Sequence, residues 1–444
     1  MRAIIIFFYL TIVMACSPQS YTDWVFLPPI RGSWETINTY GGSKEDIAHG
    51  VSITSDGGFV VIGNTMSTDG DFLIKDNEGS DIFLMKFSKS NSLEWTQVYG
   101  GSKDDRGYDV VQLLDEGFAL VGHSKSDDGD ASVNQGQHDN WVIRTDSKGL
   151  LLWQKSFGFL GHDHAYSITS TSDGGLFFNG FLDVTASNGR GQDGKRNYLT
   201  KKHGVGEFWC HKLDRNGNLQ WRRYFGGTSN DRSYDAIETN KGDFILTGSS
   251  ESQDIDISNP KGGYDIWVVK IDASGALLWE TSIGGSGYDI GNAIVQIQNG
   301  NFLIAGQTFS KDKDITNPFG SSDGILVWLS PEGILMKVQN IGESEFDVLK
   351  DIVQRPDGTL VAVGNSGSIQ NMDNPLDNKV VLYYALSNGS LISSHQLAGD
   401  GLDQGEAIAV NSKGSVIVVG STDSRAGQFP NSKGGKDLFV AIWN

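Results

Sequence analysis

Four groups of residues in this chain carry usable chemistry. His162 and His164 flank Asp163, a spacing that suits a pair of metal ligands. Asp69 with Asp71, Asp128 with Asp130, Asp254 with Asp256 and Asp312 with Asp314 form Asp-x-Asp pairs. Calcium takes roughly six to eight oxygens on a flexible loop, and such a pair begins the set. Tyr108, Tyr166 and Tyr234 recur at wide intervals, with Arg106 and Arg232 close to the first and last of them. Tyrosine joins apolar area to a polar tip, which suits a sugar ring or a peptide. Cys16 and Cys210 are the two thiols. No His-Glu-x-x-His motif is present, and no residue is assigned as catalytic. A reactive site gathered from distant segments would be invisible in sequence order.

A repeat positions these residues. A Gly turn, an Asp, a short apolar strand, a second Gly turn, another strand, a polar loop and an aromatic strand recur seven times. The Gly turn begins at Gly41, Gly100, Gly158, Gly226, Gly284, Gly342 and Gly399, in steps of 57 to 59 residues with one step of 68. Such a period, with four strands per unit, predicts one propeller blade per unit. After Gly226 the strands are expected near residues 233–239, 244–248, 265–272 and 276–283, all rich in β-branched or aromatic residues. The final segment, Asp437 to Trp443, matches a third strand, so the seventh unit lacks its fourth; residues 32–42 match the missing one. The expected fold is all-β: a seven-bladed β-propeller with four strands per blade, closed by pairing the N-terminal strand with the C-terminal strand. Closure leaves only short, protected edges.

On this frame Asp46, Asp105, Asp163, Asp231, Asp289, Asp347 and Asp403 share one position, five residues before the first apolar strand residue. A short carboxylate in a turn accepts backbone N–H bonds, and a residue present in every unit is read as a need of every unit. The same reasoning makes Trp34, Trp95, Trp153, Trp221 and Trp279 on the outer strand, and Trp141, Trp209 and Trp267 on the third, inter-blade core. His162-Asp163-His164 sits around the shared Asp and reads as a repeat variant, so no metal ligand is assigned. The Asp-x-Asp pairs continue into no complete EF-hand, so solvated turn carboxylates are preferred and calcium is the one cofactor left open.

Function is sought where the repeats differ. Three positions after each shared Asp stand His49, Tyr108, Tyr166, Tyr234, Asn292, Lys350 and Glu406. One position after it stand Ile47, Arg106, His164, Arg232, Ile290, Val348 and Gln404. Both sets fall where the turn enters the innermost strand, near one mouth of the central channel. The candidate ligand set is His49, Arg106, Tyr108, Tyr166, Arg232, Tyr234 and Lys350; packing between blades is the competing reading of the tyrosines. The third unit carries the extra length in a loop holding Arg190, Lys195, Arg196, Tyr198, Lys201 and Lys202, a basic cluster in a chain of formal net charge -19. Long loops in compact domains are often functional, and this one suits an acidic partner or an anionic glycan; a solvated insertion is the alternative. The acidic balance argues against nucleic acid.

Cys210 lies in Trp209-Cys210-His211 and reads as a small buried hydrophobe. Adjacent strand residues point to opposite faces, which rules out joint zinc ligation with His211. Residues 3–13 are apolar and too short to span a bilayer. They run into Val13-Met14-Ala15-Cys16, which resembles the lipobox of bacterial lipoproteins, with Val13 in place of the usual Leu. That resemblance implies a signal peptide over 1–15, acylation of Cys16, a tether over 16–32 and the propeller over 33–444. The membrane is then met through the lipid anchor only.

Three repeat motifs carry a wider resemblance: Gly306-Gln307-Thr308-Phe309-Ser310, Gly217-Asn218-Leu219-Gln220-Trp221, and the segment from Gly262 through Tyr264, Asp265, Ile266 and Trp267 to Lys270. Over the whole mature chain they are similar to the seven-bladed β-propeller repeats of bacterial surface lipoproteins. The resemblance implies the fold and a cell-envelope location, with the outer membrane expected, and leaves activity open. The expected role is a non-catalytic binding or scaffold module for an envelope protein. The alternative is carbohydrate binding or polysaccharide processing at the channel mouth.

Overall fold

Turn chemistry makes each repeat unit a set of hairpins. In the turn after Ile271, the Asp272 carboxylate accepts the N–H groups of Ser274 and Ala276 at 2.8 and 2.9 Å, while Gly275 takes φ +80° and reverses the chain. The computed structural model describes residues 30, 32–75, 79–191, 203–343, 345–368, 377–429 and 432–444. The described residues form 28 strands in seven four-stranded antiparallel sheets. The closing strand is β1 (Trp34–Tyr40). Blade 1 is β2 (Asp46–Ile53), β3 (Phe59–Thr65), β4 (Asp81–Phe87) and β5 (Leu93–Tyr99). Blade 2 is β6 (Asp105–Gln112), β7 (Phe118–Ser124), β8 (Asp139–Thr145) and β9 (Leu151–Phe157). Blade 3 is β10 (His164–Ser170), β11 (Leu176–Asp183), β12 (Gly206–Leu213) and β13 (Leu219–Phe225), with a single helical turn, α1 (Val184–Ser187), after β11. Blade 4 is β14 (Asp231–Glu238), β15 (Phe244–Ser250), β16 (Asp265–Ile271) and β17 (Leu277–Ile283). Blade 5 is β18 (Asp289–Gln296), β19 (Phe302–Thr308), β20 (Asp323–Leu329) and β21 (Leu335–Ile341). Blade 6 is β22 (Phe346–Gln354), β23 (Leu360–Ser368), β24 (Asp377–Ala385) and β25 (Leu391–Leu397). Blade 7 is β26 (Asp403–Val410), β27 (Val416–Thr422) and β28 (Asp437–Trp443), completed by β1.

The ring therefore closes as the sequence implies. Trp34 pairs with Trp443 and Tyr40 with Leu438 in an antiparallel register, and the Trp34 and Trp443 rings meet edge to face at 5.2 Å. The hydrophobic core lies between blades. Phe59, Phe83 and Phe87 of blade 1 pack on Ile417, Val419 and Leu438 of blade 7, while Phe177 and Phe208 of blade 3 pack on Phe244 and Trp267 of blade 4. A blade thus buries both faces, which is why a strand such as β16 is a continuous apolar run rather than an alternating one. Trp141, Trp209 and Trp267 are fully buried. Trp221 leans outward onto the next blade: its Nε1 donates to the Ala273 carbonyl at 3.1 Å, and a Cβ at Gly275 would stand 3.0 Å from its ring.

The shared Asp belongs to the inner strand rather than to the turn before it. Asp46, Asp105, Asp231, Asp289 and Asp403 are the first residues of β2, β6, β14, β18 and β26. The strands begin early because the carboxylate ties three segments together. Asp289 accepts the Gly285 N–H at 2.8 Å, the Thr308 hydroxyl at 2.5 Å and the Ser310 hydroxyl at 2.7 Å. The Gly-Gly turn, the Asp and the Gly-x-Thr-x-Ser motif are therefore one hydrogen-bonded unit. Blade 3 departs from it: Leu182 and Val184 stand where other blades have the two hydroxyl residues, and among the described residues Asp163 is left with the N–H groups of Phe159 and Asp183. Burial then pushes the Asp163 carboxyl up to about 8. No helix of the described residues is long and apolar enough to cross a membrane. The expected signal peptide, Cys16 and the tether up to residue 29 lie outside the described residues, as do Lys195, Arg196, Tyr198, Lys201 and Lys202 of the basic loop.

Candidate functional site

The channel mouth is built by seven β-bulges. Each inner strand shifts register against its neighbour at one place, between Ala48 and Gly50, Gly107 and Asp109, Ala165 and Ser167, Ser233 and Asp235, Gly291 and Ala293, Leu349 and Asp351, and Gly405 and Ala407. The residue passed over is His49, Tyr108, Tyr166, Tyr234, Asn292, Lys350 or Glu406. A bulge places two residues opposite one and re-aims a side chain. Here it turns two consecutive residues toward the axis. The facing strand makes room with a glycine. A Cβ at Gly63, Gly122, Gly180, Gly248, Gly306, Gly364 or Gly420 would stand 1.8 to 2.0 Å from the carbonyl oxygen of the inner strand. The Gly of the Gly-x-Thr-x-Ser motif is therefore the residue that permits the bulge.

The result is a cavity of ≈ 610 Å³ on the axis. Its upper lining is the passed-over set. One side is aromatic: His49 meets Tyr108 at 5.0 Å, Tyr108 meets Tyr166 at 5.0 Å, and Tyr166 meets Tyr234 at 5.5 Å. The other side is polar. Lys350 and Glu406 form an ion pair at 3.1 Å, and the Asn292 amide donates to the Leu349 carbonyl at 2.8 Å. The tyrosines pack on one another around the axis and line the cavity at the same time.

Beneath this layer lies a set that strand alternation hides. Asp109, Asp235 and Asp351 follow the bulged residue in blades 2, 4 and 6. Each reaches the next blade: one carboxylate oxygen accepts the N–H of its own following residue, and the other accepts the N–H of Ile168, Ile294 or Ile408 at 2.8 to 2.9 Å. The blades that receive them carry small residues at the same position, Ser167, Ala293 and Ala407. Burial pushes Asp109 and Asp351 up to about 7, against the pull of those N–H bonds and with the help of the neighbouring aspartates. Asp235 moves the same way.

Of the candidate ligand set, His49, Tyr108, Tyr166, Tyr234 and Lys350 line the cavity. Arg106 and Arg232 do not. Arg106 is exposed and pairs with Asp104 at 3.2 Å, and the Arg232 guanidinium lies 4.8 Å from the Phe181 ring. The residue one position after the shared Asp precedes the bulge, so the bulge does not turn it to the axis. In the basic loop Arg190 stacks over Phe159 at 4.9 Å. The Asp-x-Asp carboxylates accept N–H groups of their own Gly-Gly turns: Asp312 takes Ser286 at 2.7 Å and Asp314 takes Gly284 at 3.3 Å. Cys210 is buried with its Sγ 3.5 Å from the Arg223 carbonyl, and His211 stacks on Phe178 at 4.3 Å.

Beside the mouth, the junction of blades 2 and 3 gathers four of the chain's eight histidines. His123 comes from β7, His138 from the residue before β8, and His162 and His164 from the entry to β10. A backbone bridge between His138 and His162 sets their Nδ1 atoms 2.7 Å apart. His123 stacks on His164 at 4.0 Å, and His138 meets His164 at 5.0 Å. Burial, then neighbouring imidazoles, lower His138 to about 4 and His164 to about 3, so both are neutral at physiological pH. Sequence order offers only His162 and His164; the other two arrive through the fold.

No protein family and no curated protein matches the sequence. Solved propellers resemble the structure at low identity. The Pan2 WD40 domain of Neurospora crassa is 10% identical with a TM-score of 0.48, covering 92% of this chain and 94% of that one. YCF48 bound to D1 peptide is 9% identical with a TM-score of 0.49, covering 95% and 99%. The β-propeller domain of the Trilobed protease from Pyrococcus furiosus, which has an open velcro topology, is 10% identical with a TM-score of 0.45, covering 90% and 94%.

Proposed function

We propose that this propeller is a non-catalytic binding module of the bacterial cell envelope, held by a lipid on Cys16, that takes a segment of an envelope protein at its channel mouth. The bulge-built mouth carries this reading. Its aromatic crescent offers apolar area with polar tips, and the carboxylates below it complement a basic side chain of the incoming segment. The anchor reading is supported by the apolar residues 3–13 ending at Val13-Met14-Ala15-Cys16. A glycan ligand is the second reading, favoured by the same three tyrosines.

The test is recovery of the protein from its native membrane after mild crosslinking. A near-stoichiometric protein that co-purifies with the wild type, and is lost from a Tyr108→Ala/Tyr166→Ala double variant of normal melting temperature, is the expected result. Recovery of the propeller alone, with a saccharide-dependent rise in melting temperature, would replace the protein partner with a glycan. Fatty-acid labelling that persists in Cys16→Ser would remove the anchor from the proposal.

A further inference from the structure

We infer that the junction of blades 2 and 3 is a site for one divalent transition-metal ion of the zinc class, with His138, His162 and His164 as its ligands. The ligand atoms of these three side chains lie within 4.8 Å of one another, as do those of the overlapping trio Asp104, His123 and His138. Imidazole nitrogen suits zinc, nickel and copper, and three protein ligands with one open position is a common arrangement for zinc.

Two further observations point to a ligand. His123 is 3% exposed, and its Nδ1 has no hydrogen-bond partner. The buried Nε2 of His164 has none either. A buried polar atom without a partner costs on the order of 1–3 kcal/mol, and two in one cluster mark something that the protein side chains do not supply. The second observation is that the fold does not need histidine here. The same inter-blade bridge is made by Glu45 with Lys436, Tyr264 with Tyr288, Ser322 with Phe346 and Asn378 with Leu402. A backbone contact that tolerates all those pairs gives no structural reason for His138 and His162.

The geometry is close to a ligating one. Two nitrogens on a tetrahedral zinc at its usual bond length sit about 3.3 Å apart, so His138 and His162 need to separate only slightly from their present contact. His162 is exposed and free to make that movement. Asp104 and His123 form the second trio through His138 and supply charge and orientation from the other side. The site touches the channel mouth, since the Tyr166 hydroxyl is 3.5 Å from His164 Nδ1 and the Tyr108 ring is 5.5 Å from His123. An open coordination position would therefore face the rim of the cavity.

The experiment is zinc titration of the purified protein by calorimetry, using an affinity tag without histidine, with cobalt absorption as a second readout. One equivalent of zinc is expected, together with a visible cobalt band. His162→Ala, at an exposed position that leaves folding intact, and His138→Ala should each weaken zinc by at least about tenfold, since even an outer-shell change costs that much. His395→Gln, remote from the junction, should not. Uptake unchanged in the His138→Ala/His162→Ala double variant, no cobalt band, or equal loss in His395→Gln would overturn the assignment.

Discussion

Asp289 and Asp351 are carboxylates on the inner strands of neighbouring blades, and they work in different directions. Asp289 gathers donors from its own blade: the turn N–H of Gly285 and the hydroxyls of Thr308 and Ser310. Asp351 reaches out of its blade to the N–H of Ile408. The first kind occurs in every blade and shapes the blade. The second occurs in alternate blades and ties each to the next, 2 to 3, 4 to 5 and 6 to 7, with Asp235 also taking the Ser167 hydroxyl of blade 3; blade 1 has Gly50 at that position. Repetition therefore marks what one blade needs to fold. Interrupted repetition marks the junctions and the mouth, where the ring is not sevenfold.

The sharpest way to break this contrast is Asp289→Ala. It strands three buried donors and should destabilise the protein by roughly 3–5 kcal/mol, read as a fall in urea midpoint. Trp221→Ala removes a half-buried ring and its bond to Ala273, with an expected loss of about 2 kcal/mol in the same assay. The channel aspartates should show themselves in pH dependence. Asp109 and Asp351 titrate near about 7 in the fold. In the unfolded chain they titrate near the ordinary value of about 3.9. Between those values the native state holds protons that the unfolded chain has released, so stability falls as pH rises and the penalty is complete above about 7. Urea midpoints at about pH 5 and about pH 8 should therefore differ less in Asp351→Asn than in the wild type. An equal difference would show that this carboxyl does not titrate in that window. Arg106→Ala removes an exposed ion pair with Asp104 and should change stability by less than about 0.5 kcal/mol.

The ring was legible in the sequence because a blade is a local unit whose turns, shared Asp and apolar runs repeat with nearly constant spacing. The passed-over set, from His49 to Glu406, was legible because it keeps one offset from that Asp. The residue after it was not. Strict alternation sends Asp109, Asp235 and Asp351 to the opposite face of the strand, and only the bulge turns them inward. Three aspartates recurring in every second repeat, at a strand position otherwise held by small residues, were the available signal. The histidine cluster was legible only in half. His162 and His164 are neighbours in sequence, whereas His123 and His138 join them through sheet register and blade stacking. Arg106 and Arg232 were grouped with the mouth because they lie next to its residues in sequence; they stay outside the cavity lining, while Arg106 still reaches the Tyr108 phenol.

The pairing of β1 with β28 also governs the order of assembly. Trp34 and Trp443 are far apart in the chain, yet they lie side by side in one sheet. β1 has no place in the ring until β28 exists. Six blades can form as local hairpins at modest loop-closure cost, but the seventh waits for the whole chain and brings together its most distant segments. Until then β28 presents an open edge and β1 is a loose strand of matching register, so partly made chains can pair with each other across molecules. Closure is thus the last step in building the ring and the step most exposed to misassembly, and its yield should fall as chain concentration rises.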